Sequence, residues 1–354
     1  MAILLIFLAS YTDFRGIWVP RWSLDDGKEI FAHLDGKFNH IFLQVYALGQ
    51  AYYPSARVPN RRTTDEWLKD FITEAHYRGI KVSAWINVYY SWGYASVTND
   101  RRHPVNRQPN WFVSDHTGRS ILDYSVDELE SLGIEGYYLS PAHLHVREYI
   151  CGIAEEIVRA YDFDGIHLDY IRYPGRRFIY DTAIRSKFMR RHGIDPLALR
   201  GNSEMQQRYS AWGCEDLEAK WQGMVHHDLT EFIAELNSRI KQVRQDLQVS
   251  VAVKPDYLSA RTEYYQDWLT WVNAHYVDFV CLMLYTRNIT SHLDKIERVI
   301  HDPGRVTVGL GLYMLSPEKI GEQVRTVEKS PFAGVVYFSY DQLKENHTYR
   351  RALK

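Results

Sequence analysis

The sequence of 354 residues has few cysteines, almost no net charge and no long hydrophobic run, and each absence excludes a class of protein. Its three cysteines are an odd number, lie far apart and form no CxxC pair, so a disulfide framework is not expected. A net charge of -2, from 42 basic and 44 acidic residues, provides no broad basic field for nucleic acid or anionic lipid. No stretch reaches the ~18 consecutive apolar residues of a membrane span, so stable membrane insertion is not expected.

Common cofactor and metal motifs are also missing. No GxGxxG follows the first predicted strand, that strand lacks the HxH of amidohydrolases, and no HExxH occurs. The sequence therefore predicts no cofactor and no resident metal. Two alternatives stay open: a metal-dependent hydrolase that uses His167 and Asp169 with a further histidine, and a Schiff-base role for Lys254. His143 and His145 flank the start of a predicted helix and are interpreted as solvated or capping residues.

The first ten residues, Met1 to Ser10, resemble the apolar part of a secretory signal. They lack a basic n-region and are shorter than the usual ~15–30 residues. We expect either a truncated export signal or an apolar segment that leads into the fold, and we favour a periplasmic or extracellular location over the cytoplasm. Residues 11–354 contain no repeat or low-complexity linker and are predicted to form a single domain.

Aromatic residues, in contrast, are abundant. They make up 14% of the chain, with 26 tyrosines and 10 tryptophans, which is more ring surface than a core normally needs. Flat ring faces suit sugars, although an aromatic-rich core would use the same residues. Because the chain is also nearly neutral, an oligo- or polysaccharide is the partner that the composition favours.

Eight short runs rich in β-branched or aromatic residues recur along the chain, with helical segments between them. They are Arg15 to Pro20, Asn39 to Tyr46, Ile80 to Val88, Asp164 to Tyr170, Gln248 to Lys254, Val277 to Tyr285, Arg305 to Leu312 and Ala333 to Ser339. The helices include Thr64 to Arg78 behind a Thr cap, Leu217 to Asp246, and Pro317 to Lys329 with Ser316 as N-cap. Repeated strand-helix units predict an α/β protein with a (β/α)8 TIM barrel, and an open doubly wound sheet is the alternative.

Two connections are much longer than the others. Residues Tyr89 to Ser140 follow the third predicted strand, and Tyr173 to Asp216 follow the fourth. Both insertions come after strands and so belong to the face that carries active sites in this architecture. We expect these enlarged loops after strands 3 and 4 to extend the mouth of the barrel.

Side chains near the C-terminal ends of barrel strands converge on one pocket, which predicts the substrate-binding residues. They are Trp18, Arg21, Gln44, Tyr46, Trp85, Asn87, His167, Arg172, Lys254, Met283, Tyr285, Tyr313 and Asp341. This set is polar and lined with rings, as a sugar site requires.

The catalytic carboxyl groups are expected among the acidic residues at these strand ends. Alternation along DFDGIHLDYIRYP (residues 162–174) places Asp169 on the same face of a strand as His167. Glycoside hydrolysis needs one carboxylate to attack or to activate water, and one protonated carboxyl group to assist the leaving oxygen. Asp169, kept ionised by Arg172, is predicted for the first role. Asp256 is predicted for the second, with Glu263 and Asp341 as the other candidates.

The segment DFDGIHLDYIRYP resembles the signature of the glycosyl hydrolase-like 10 (GHL10) family. Supporting segments in family order are RGIWV (15–19), GYYLSP (136–141), VREYI (146–150), QDW (266–268) with Trp271, and VDFV (277–280) before MLY (283–285). The resemblance implies a TIM-barrel hydrolase, usually exported, that acts on a polysaccharide, which in characterised members is cell-wall glycan. Several members carry two consecutive aspartates at the end of strand four, where this chain has Asp169 followed by Tyr170.

The same segment also resembles the DGxDxDxE motif of chitinases, but two key positions differ. His167 replaces the middle acid and Ile171 replaces the catalytic glutamate, so a substrate-assisted chitinase mechanism would lack its proton donor. The sequence thus predicts a hydrolase of O-glycosidic bonds, acting on a polysaccharide such as a cell-wall or amino-sugar glycan. The alternative from another class is a carbohydrate-binding barrel without catalysis.

Overall fold

The computed structural model describes residues 13–34, 36–95, 98–199 and 203–353. The expectation of a truncated signal or apolar segment at Met1 to Ser10 concerns residues outside these ranges. No helix among the described residues combines the length and the apolarity needed to cross a membrane.

Eight parallel strands close into a barrel, which confirms the predicted fold class. The described strands are β1 (Phe14–Val19), β2 (His40–Ala47), β3 (Gln50–Ala51), β4 (Lys81–Asn87), β5 (Tyr90–Trp92), β6 (Tyr137–Tyr138), β7 (Gly165–Asp169), β8 (Gln248–Val253), β9 (Phe279–Met283), β10 (Val306–Gly311) and β11 (Gly334–Phe338). The barrel order is β1-β11-β10-β9-β8-β7-β4-β2, and the pairing of β1 with β2 closes the ring. The short β3 is antiparallel to β2. Each predicted strand boundary lies within two residues of the observed one.

Helices separate the barrel strands. The α-helices are α1 (Glu29–Leu34), α2 (Glu66–Tyr77), α3 (Pro104–Arg107), α4 (Val126–Ser131), α5 (Leu144–Ala160), α6 (Thr182–His192), α7 (Ser203–Val243), α8 (Tyr257–Tyr264), α9 (Trp268–Asn273), α10 (Thr290–Glu297), α11 (Pro317–Glu328), α12 (Tyr340–Glu345) and α13 (His347–Ala352). Short 3₁₀ turns cover Arg21–Asp26, Pro109–Trp111, Ile121–Asp123, Pro196–Leu199, Pro303–Arg305 and Leu312–Met314.

The three predicted helices are present, with different starting points in two cases. Ser316 caps α11 as predicted, accepting a hydrogen bond from Lys319 N at 3.4 Å. Helix α2 begins at Glu66, so its N-cap is Asp65 and not a threonine as predicted. Helix α7 begins well before Leu217 and contains a break, where Ser210 has a non-helical backbone with φ of 62°.

The core has an inner and an outer part. Inside the barrel, rings and small side chains pack on one another, namely Trp18, Phe42, Trp85, Phe279, Cys281 and Val336. The outward faces of the strands pack against the amphipathic helices, such as α2 with Leu68, Phe71, Ile72 and Ala75. Because large rings fill the interior, the barrel is a packed core and not a pore.

A β-bulge interrupts the regular pairing of β2 with β4. Gln44 pairs with Trp85, but the next pair joins Tyr46 to Ile86, so β2 contains one extra residue between the two pairs. Side chains alternate between the two faces of a strand, and an inserted residue therefore reverses the faces beyond it. Gln44 and Tyr46 consequently do not share a face.

The insertion between β4 and α5 folds over the barrel mouth. Its two ends meet where β5 pairs antiparallel with β6. The backbone N–H of Val88 donates to the carbonyl of Asp169 at 2.8 Å, so the insertion begins alongside the end of β7. The residues just before β6 are thereby brought to the same end of the barrel as Asp169.

Candidate active site

The C-terminal ends of the barrel strands border a cavity of about 460 Å³. Ten of the fifteen predicted site residues line it, namely Trp18, Arg21, Gln44, Trp85, Asn87, Asp169, Arg172, Lys254, Met283 and Tyr285. The lining also contains residues that the sequence did not single out, namely Trp22, Leu48, Tyr90, Glu135, Tyr170, Ala252 and Phe338. Two of the lining residues, Asp169 and Glu135, carry carboxyl groups.

Asp169 ends β7 and is buried, with 8% of its surface exposed. Its Oδ2 accepts a hydrogen bond from Trp85 Nε1 at 3.1 Å, and its Oδ1 accepts one from the backbone N–H of Tyr170 at 2.8 Å. Burial raises the pKa of Asp169 to about 6, although both hydrogen bonds and the charge of Arg172 oppose this shift. Arg172 favours the ionised form of Asp169, as expected from the sequence, but desolvation has the larger effect on the pKa.

Glu135 is the second carboxyl group in the cavity, and it precedes β6 in the insertion after β4. Arg172 Nη2 donates to its Oε1 at 2.8 Å, and the hydroxyl of Tyr138 donates to its Oε2 at 3.0 Å. Burial opposes ionisation here too, but the charges of Arg172 and Lys254 hold the pKa of Glu135 below its usual value. The partner of Arg172 is thus Glu135, so the two carboxyl groups experience opposite electrostatic environments.

A signal for Glu135 was present in the sequence. It directly precedes the segment GYYLSP (136–141), which carries part of the family resemblance. Gly136 has φ of 153°, and a Cβ there would collide with the carbonyl oxygen of Trp92. A glycine is therefore required for the backbone to pass this close to β5. The position of Glu135 depends on that approach, which no strand pattern reveals.

Two cations stand beside the carboxyl groups. The guanidinium of Arg172 is buried and lies over the rings of Tyr170 and Tyr264, with its central carbon 5.1 and 4.9 Å from their centres. Lys254 Nζ lies 5.0 Å from the centre of the Tyr264 ring. Burial and the nearby charge of Arg172 lower the pKa of Lys254. These contacts with aromatic rings stabilise both cations beside the cavity.

Polar groups at or just beyond the ends of the first three barrel strands form a chain along one side of the cavity. The side-chain oxygen of Gln44 accepts a hydrogen bond from the backbone N–H of Arg21 at 3.1 Å. The amide nitrogen of Gln44 donates to the side-chain oxygen of Asn87 at 3.2 Å. These bonds orient the amides, so each presents a defined donor or acceptor to a ligand.

Aromatic rings form another side. The Tyr285 ring stacks on Phe338 with 5.5 Å between their centres, and the rings of Trp18 and Trp85 meet Phe338 edge-on at 6.0 and 6.5 Å. Trp22 stands at the rim with 59% of its surface exposed. Such surfaces match the CH-rich faces of sugar rings.

A model of the family described as glycosyl hydrolase-like 10 matches residues 14–321, which include both carboxyl groups of the cavity. The chain belongs to the glycosyl hydrolase-like 10 family. The resemblance read from the sequence is thereby confirmed. Glycosyl hydrolase DigH of Escherichia coli (strain K12) is 23% identical over 273 residues, which cover 70% of this chain and 54% of DigH. Glycosyl hydrolase YngK of Bacillus subtilis (strain 168) is 26% identical over 147 residues, which cover 38% of this chain and 25% of YngK. The matched part of the chain thus spans about half the length of DigH and a quarter of the length of YngK.

Solved structures of glycoside hydrolases share the fold. The glycoside hydrolase domain of PgaB (BpsB) from Bordetella bronchiseptica superposes with a TM-score of 0.68 at 17% identity, over 96% of this chain and 97% of that one. Alpha-L-fucosidase isoenzyme 2 from Paenibacillus thiaminolyticus superposes with a TM-score of 0.62 at 16% identity, over 96% of this chain and 48% of that one. These similarities concern the barrel itself.

Tyr46 and His167, which the sequence predicted to bind substrate in this glycosyl hydrolase-like 10 chain, do not line the cavity. Tyr46 is turned to the outer face of β2 by the bulge, and its hydroxyl lies 3.4 Å from that of Tyr149 on α5. His167 is fully buried in the barrel interior, where Trp18 Nε1 donates to its Nε2 at 3.1 Å and its Nδ1 lies 2.8 Å from Ser250 Oγ. Alternation does place His167 on the inner face, but one layer below Asp169.

The residue chosen from the sequence as the acid occupies a different position. Asp256 caps α8, where its side chain accepts a hydrogen bond from Ser259 N at 2.8 Å, and it is not part of the cavity lining. Glu263 lies half-exposed, with Oε1 3.7 Å from Arg176 Nη1. An acidic residue directly after a strand is a common N-cap, and this explains the position of Asp256. Glu135 takes its place as the second carboxyl group of the cavity.

Two further predicted residues border the cavity without lining it. Asp341 accepts a hydrogen bond from Trp22 Nε1 at 2.8 Å and another from Ser339 Oγ at 3.1 Å. Tyr313 is 56% exposed, and its ring meets those of Tyr285 and Phe338 edge-on. Asp341 therefore positions the rim tryptophan, and Tyr313 extends the aromatic side outward.

The described residues contain no group of three or more His, Cys, Asp or Glu arranged to hold a metal ion. Both ring nitrogens of His167 are hydrogen-bonded within the barrel, so this residue is not free to act as a ligand beside Asp169. Burial also lowers the pKa of His167 well below its usual value, which keeps the ring neutral.

A second cavity, also of about 460 Å³, lies at the opposite end of the barrel. Its lining includes Phe14, His40 and Phe279, together with Asp278. Asp278 Oδ2 is held by Lys241 Nζ at 2.8 Å and by the backbone N–H of Val249 at 2.7 Å. The carboxyl group of Asp278 is thus engaged in joining α7 to β8. Active sites of TIM barrels lie at the other end of the barrel.

Proposed function

We propose that this protein hydrolyses O-glycosidic bonds of a polysaccharide, with Asp169 and Glu135 as its two carboxyl groups. The observation that supports the proposal is their presence in one ring-lined cavity with pKa values displaced in opposite directions. A glycoside hydrolase needs such a pair, in which one group is protonated and the other ionised. The substrate we propose is a cell-wall or amino-sugar glycan, as the family resemblance implies.

Asp169 is the group that we assign as general acid. Its proton passes to the glycosidic oxygen as the bond from that oxygen to the anomeric carbon breaks, and the departing sugar leaves with a free hydroxyl. A pKa of about 6 leaves roughly a tenth of the molecules protonated at pH 7, which suits proton transfer near neutrality. Trp85 Nε1 orients the carboxyl group throughout.

Glu135 is the group that we assign to the anomeric carbon. As an ionised carboxylate, it either attacks that carbon directly, forming a glycosyl ester that water then hydrolyses with Asp169 now accepting the proton of the water, or it removes a proton from the water that attacks the carbon. Arg172 and Tyr138 hold the carboxylate in place and stabilise its negative charge. In both versions, positive charge that develops on the sugar ring faces an anion, which stabilises the transition state.

The other lining groups bind the sugar. We assign Trp18, Trp85 and Tyr285 to stacking on sugar rings, and Gln44 with Asn87 to hydrogen bonds with hydroxyl groups. Because the contacts of Tyr285, Gln44 and Asn87 involve substrate atoms remote from the scissile bond, their loss should raise KM more than it lowers kcat. Loss of Trp85, which also orients Asp169, should lower kcat as well.

The experiment compares wild-type protein with Asp169→Asn and Glu135→Gln on peptidoglycan strands, chitosan-like polymers and glucans, with products identified by mass spectrometry. Each variant should lower the release of new reducing ends by about 10²–10⁴-fold, the usual contribution of an acid or base. The matched controls are Asp256→Asn, at the helix cap, and Glu130→Gln, an exposed glutamate of the same insertion, and both should retain activity.

Two results would contradict the proposal. One is full activity in Glu135→Gln when thermal melting shows that the variant is folded. The other is binding of a polysaccharide by the wild type without turnover on any substrate, which would identify a carbohydrate-binding barrel.

A further inference from the structure

A larger cavity, which we call the lateral cleft, lies outside the barrel and has a volume of about 840 Å³. The insertion after β4, the start of α5, helix α6 and helix α7 surround it. Its lining consists of Gln108, Asn110, Trp111, Ala142, His143, Leu144, His145, Arg147, Ala183, Ser186, Lys187, Arg190 and Asp228. None of these residues lines the cavity with Asp169.

The side chains of the lateral cleft carry an excess of positive charge. Arg147, Lys187 and Arg190 face a single acidic residue of the lining, Asp228, which is buried. Asp228 is already engaged, because Arg147 Nη2 lies 3.5 Å from its Oδ2 and Lys187 Nζ donates to its Oδ1. Arg190 forms no ion pair with any residue that the structure describes, so at least one positive charge in the lining is not neutralised.

The start of α5 adds unsatisfied donors to the same lining. His143 occupies the N-cap position without a side-chain hydrogen bond to the helix, and the first turn contains no acidic residue. Within the described ranges, no group accepts a hydrogen bond from the backbone N–H of Leu144 or of His145. The Nδ1 atom of His143 is buried and likewise has no partner there. The positive end of a 17-residue helix thus opens onto the lateral cleft.

Neutral groups in the lining suit a sugar. The half-buried ring of Trp111 lies 6.0 Å from that of His143 and 5.4 Å from that of Tyr149, so one of its sides is supported by other rings. The amides of Gln108 and Asn110 stand beside it. An indole next to amides and cations can bind a sugar ring together with a charged substituent.

We propose that the lateral cleft binds an oxyanion substituent of a polysaccharide, such as a carboxylate or a sulfate, at a site separate from the barrel mouth. Arg190, His145 and the start of α5 contact the oxyanion, and Trp111 contacts the sugar that carries it. The inference rests on the proposed function only in its choice of a polysaccharide as ligand. It does not require hydrolysis by Asp169 and Glu135.

The test measures binding of the full chain to dextran sulfate, carboxymethyl-dextran and unmodified dextran, which differ only in their substituents, by affinity electrophoresis. The variants are Arg190→Glu and His145→Glu. Both positions are exposed, so the variants should fold. A glutamate at position 145 suits the start of α5, whereas one at position 190, in the last turn of α6, should cost at most about 1 kcal/mol. Each should weaken binding of the two anionic dextrans by about tenfold or more, because a like charge now faces the ligand. Neither should change the weak binding of unmodified dextran.

Arg298→Glu is the matched control, because Arg298 is an exposed arginine beyond α10 and outside the lateral cleft. Equal weakening by Arg298→Glu would overturn the proposal, since the effect would then reflect net charge. Equal affinity of the wild type for charged and uncharged dextran would also overturn it. If the wild type bound a DNA oligonucleotide as tightly as the anionic dextrans, the ligand of the lateral cleft would be identified as nucleic acid and not polysaccharide. Because binding is measured without turnover, failure of the lateral cleft and failure of hydrolysis at the barrel mouth are distinguishable.

Discussion

Asp169 and Glu135 carry the same functional group in one cavity, yet their surroundings favour different protonation states. Asp169 is deeply buried and forms no ion pair with a described residue, whereas Glu135 is paired with Arg172. Desolvation favours a neutral carboxyl group, and an adjacent guanidinium favours an ionised one. The difference in local environment is thus the physical basis for proposing Asp169 as the acid and Glu135 as the ionised carboxylate.

This assignment predicts the shape of the pH profile. If Asp169 is the acid, kcat/KM should fall as the pH rises through about 6, because the proton that assists the leaving group is lost. On this alkaline side, the decrease should approach tenfold per pH unit. The measurement is kcat/KM on a soluble oligosaccharide between pH 4 and pH 9.

The opposite result has a definite meaning. Activity that rises with pH through about 6 would make Asp169 the base and would reverse the roles of the two carboxyl groups. The control is the folded state at each pH, monitored by tryptophan fluorescence, so that loss of structure is not mistaken for titration.

At the scale of elements, the turn before β6 determines where Glu135 lies. Gly136 permits close contact with the carbonyl of Trp92, and Glu135 is the residue immediately before it. Gly133 stands three positions earlier with a positive φ of 67°, but a Cβ there would meet nothing within 4 Å. An alanine at position 133 would therefore cause backbone strain alone, whereas one at position 136 would also cause a steric collision.

We predict that Gly136→Ala lowers kcat by at least about tenfold, because displacing a catalytic group by ~1 Å can cost far more than that. Gly133→Ala should keep full activity while losing about 1 kcal/mol of unfolding free energy, since alanine disfavours a positive φ. Steady-state kinetics and urea denaturation measure the two effects. Normal kcat in a folded Gly136→Ala variant would show that the turn does not position Glu135.

The strand ends were predictable from sequence, but two local features were not. Alternation correctly places Trp85, Asn87 and Asp169 toward the barrel axis, because β4 and β7 are regular. The same rule fails for Tyr46, because no sequence signal marks the bulge beyond Gln44. Glu135 escapes the rule altogether, since it belongs to an insertion and not to a barrel strand.

At the scale of the whole molecule, the barrel itself could be predicted because eight strand-like runs alternate with amphipathic helices. This pattern is repeated, so an error in one strand does not change the predicted fold class. The site is less predictable because it joins the ends of barrel strands to a loop from the long insertion. Arg172 and Glu135, for example, are 37 residues apart in the chain, so their contact leaves no local pattern in the sequence.

The stability of the molecule should also depend on pH through a buried carboxyl group that does not line the active-site cavity. Asp181 caps α6, and burial raises its pKa to about 6. A folded-state pKa above the unfolded value of 3.8 means that the contribution to stability is complete below about pH 4 and is lost as the pH rises to about 6.

We therefore predict that the unfolding free energy of the wild type, relative to Asp181→Asn, falls by about 2–3 kcal/mol between pH 4 and pH 7, at about 1.4 kcal/mol per pKa unit. Asparagine keeps the cap but does not titrate in this range, so it removes only the pH-dependent part. Urea denaturation of both proteins at several pH values measures the difference. A difference that is independent of pH would show that Asp181 does not titrate in the folded protein.

Asp169 is part of the barrel framework, whereas Glu135 belongs to the connection between β4 and α5. A change in the length of that connection would move one carboxyl group and leave the other fixed. The spacing between such groups decides whether a glycosidase retains or inverts the anomeric configuration, with about 5–5.5 Å for retention and about 6.5–9.5 Å for inversion. Insertions or deletions in one surface loop could therefore alter the stereochemical outcome in descendants of this barrel, while every strand keeps its place.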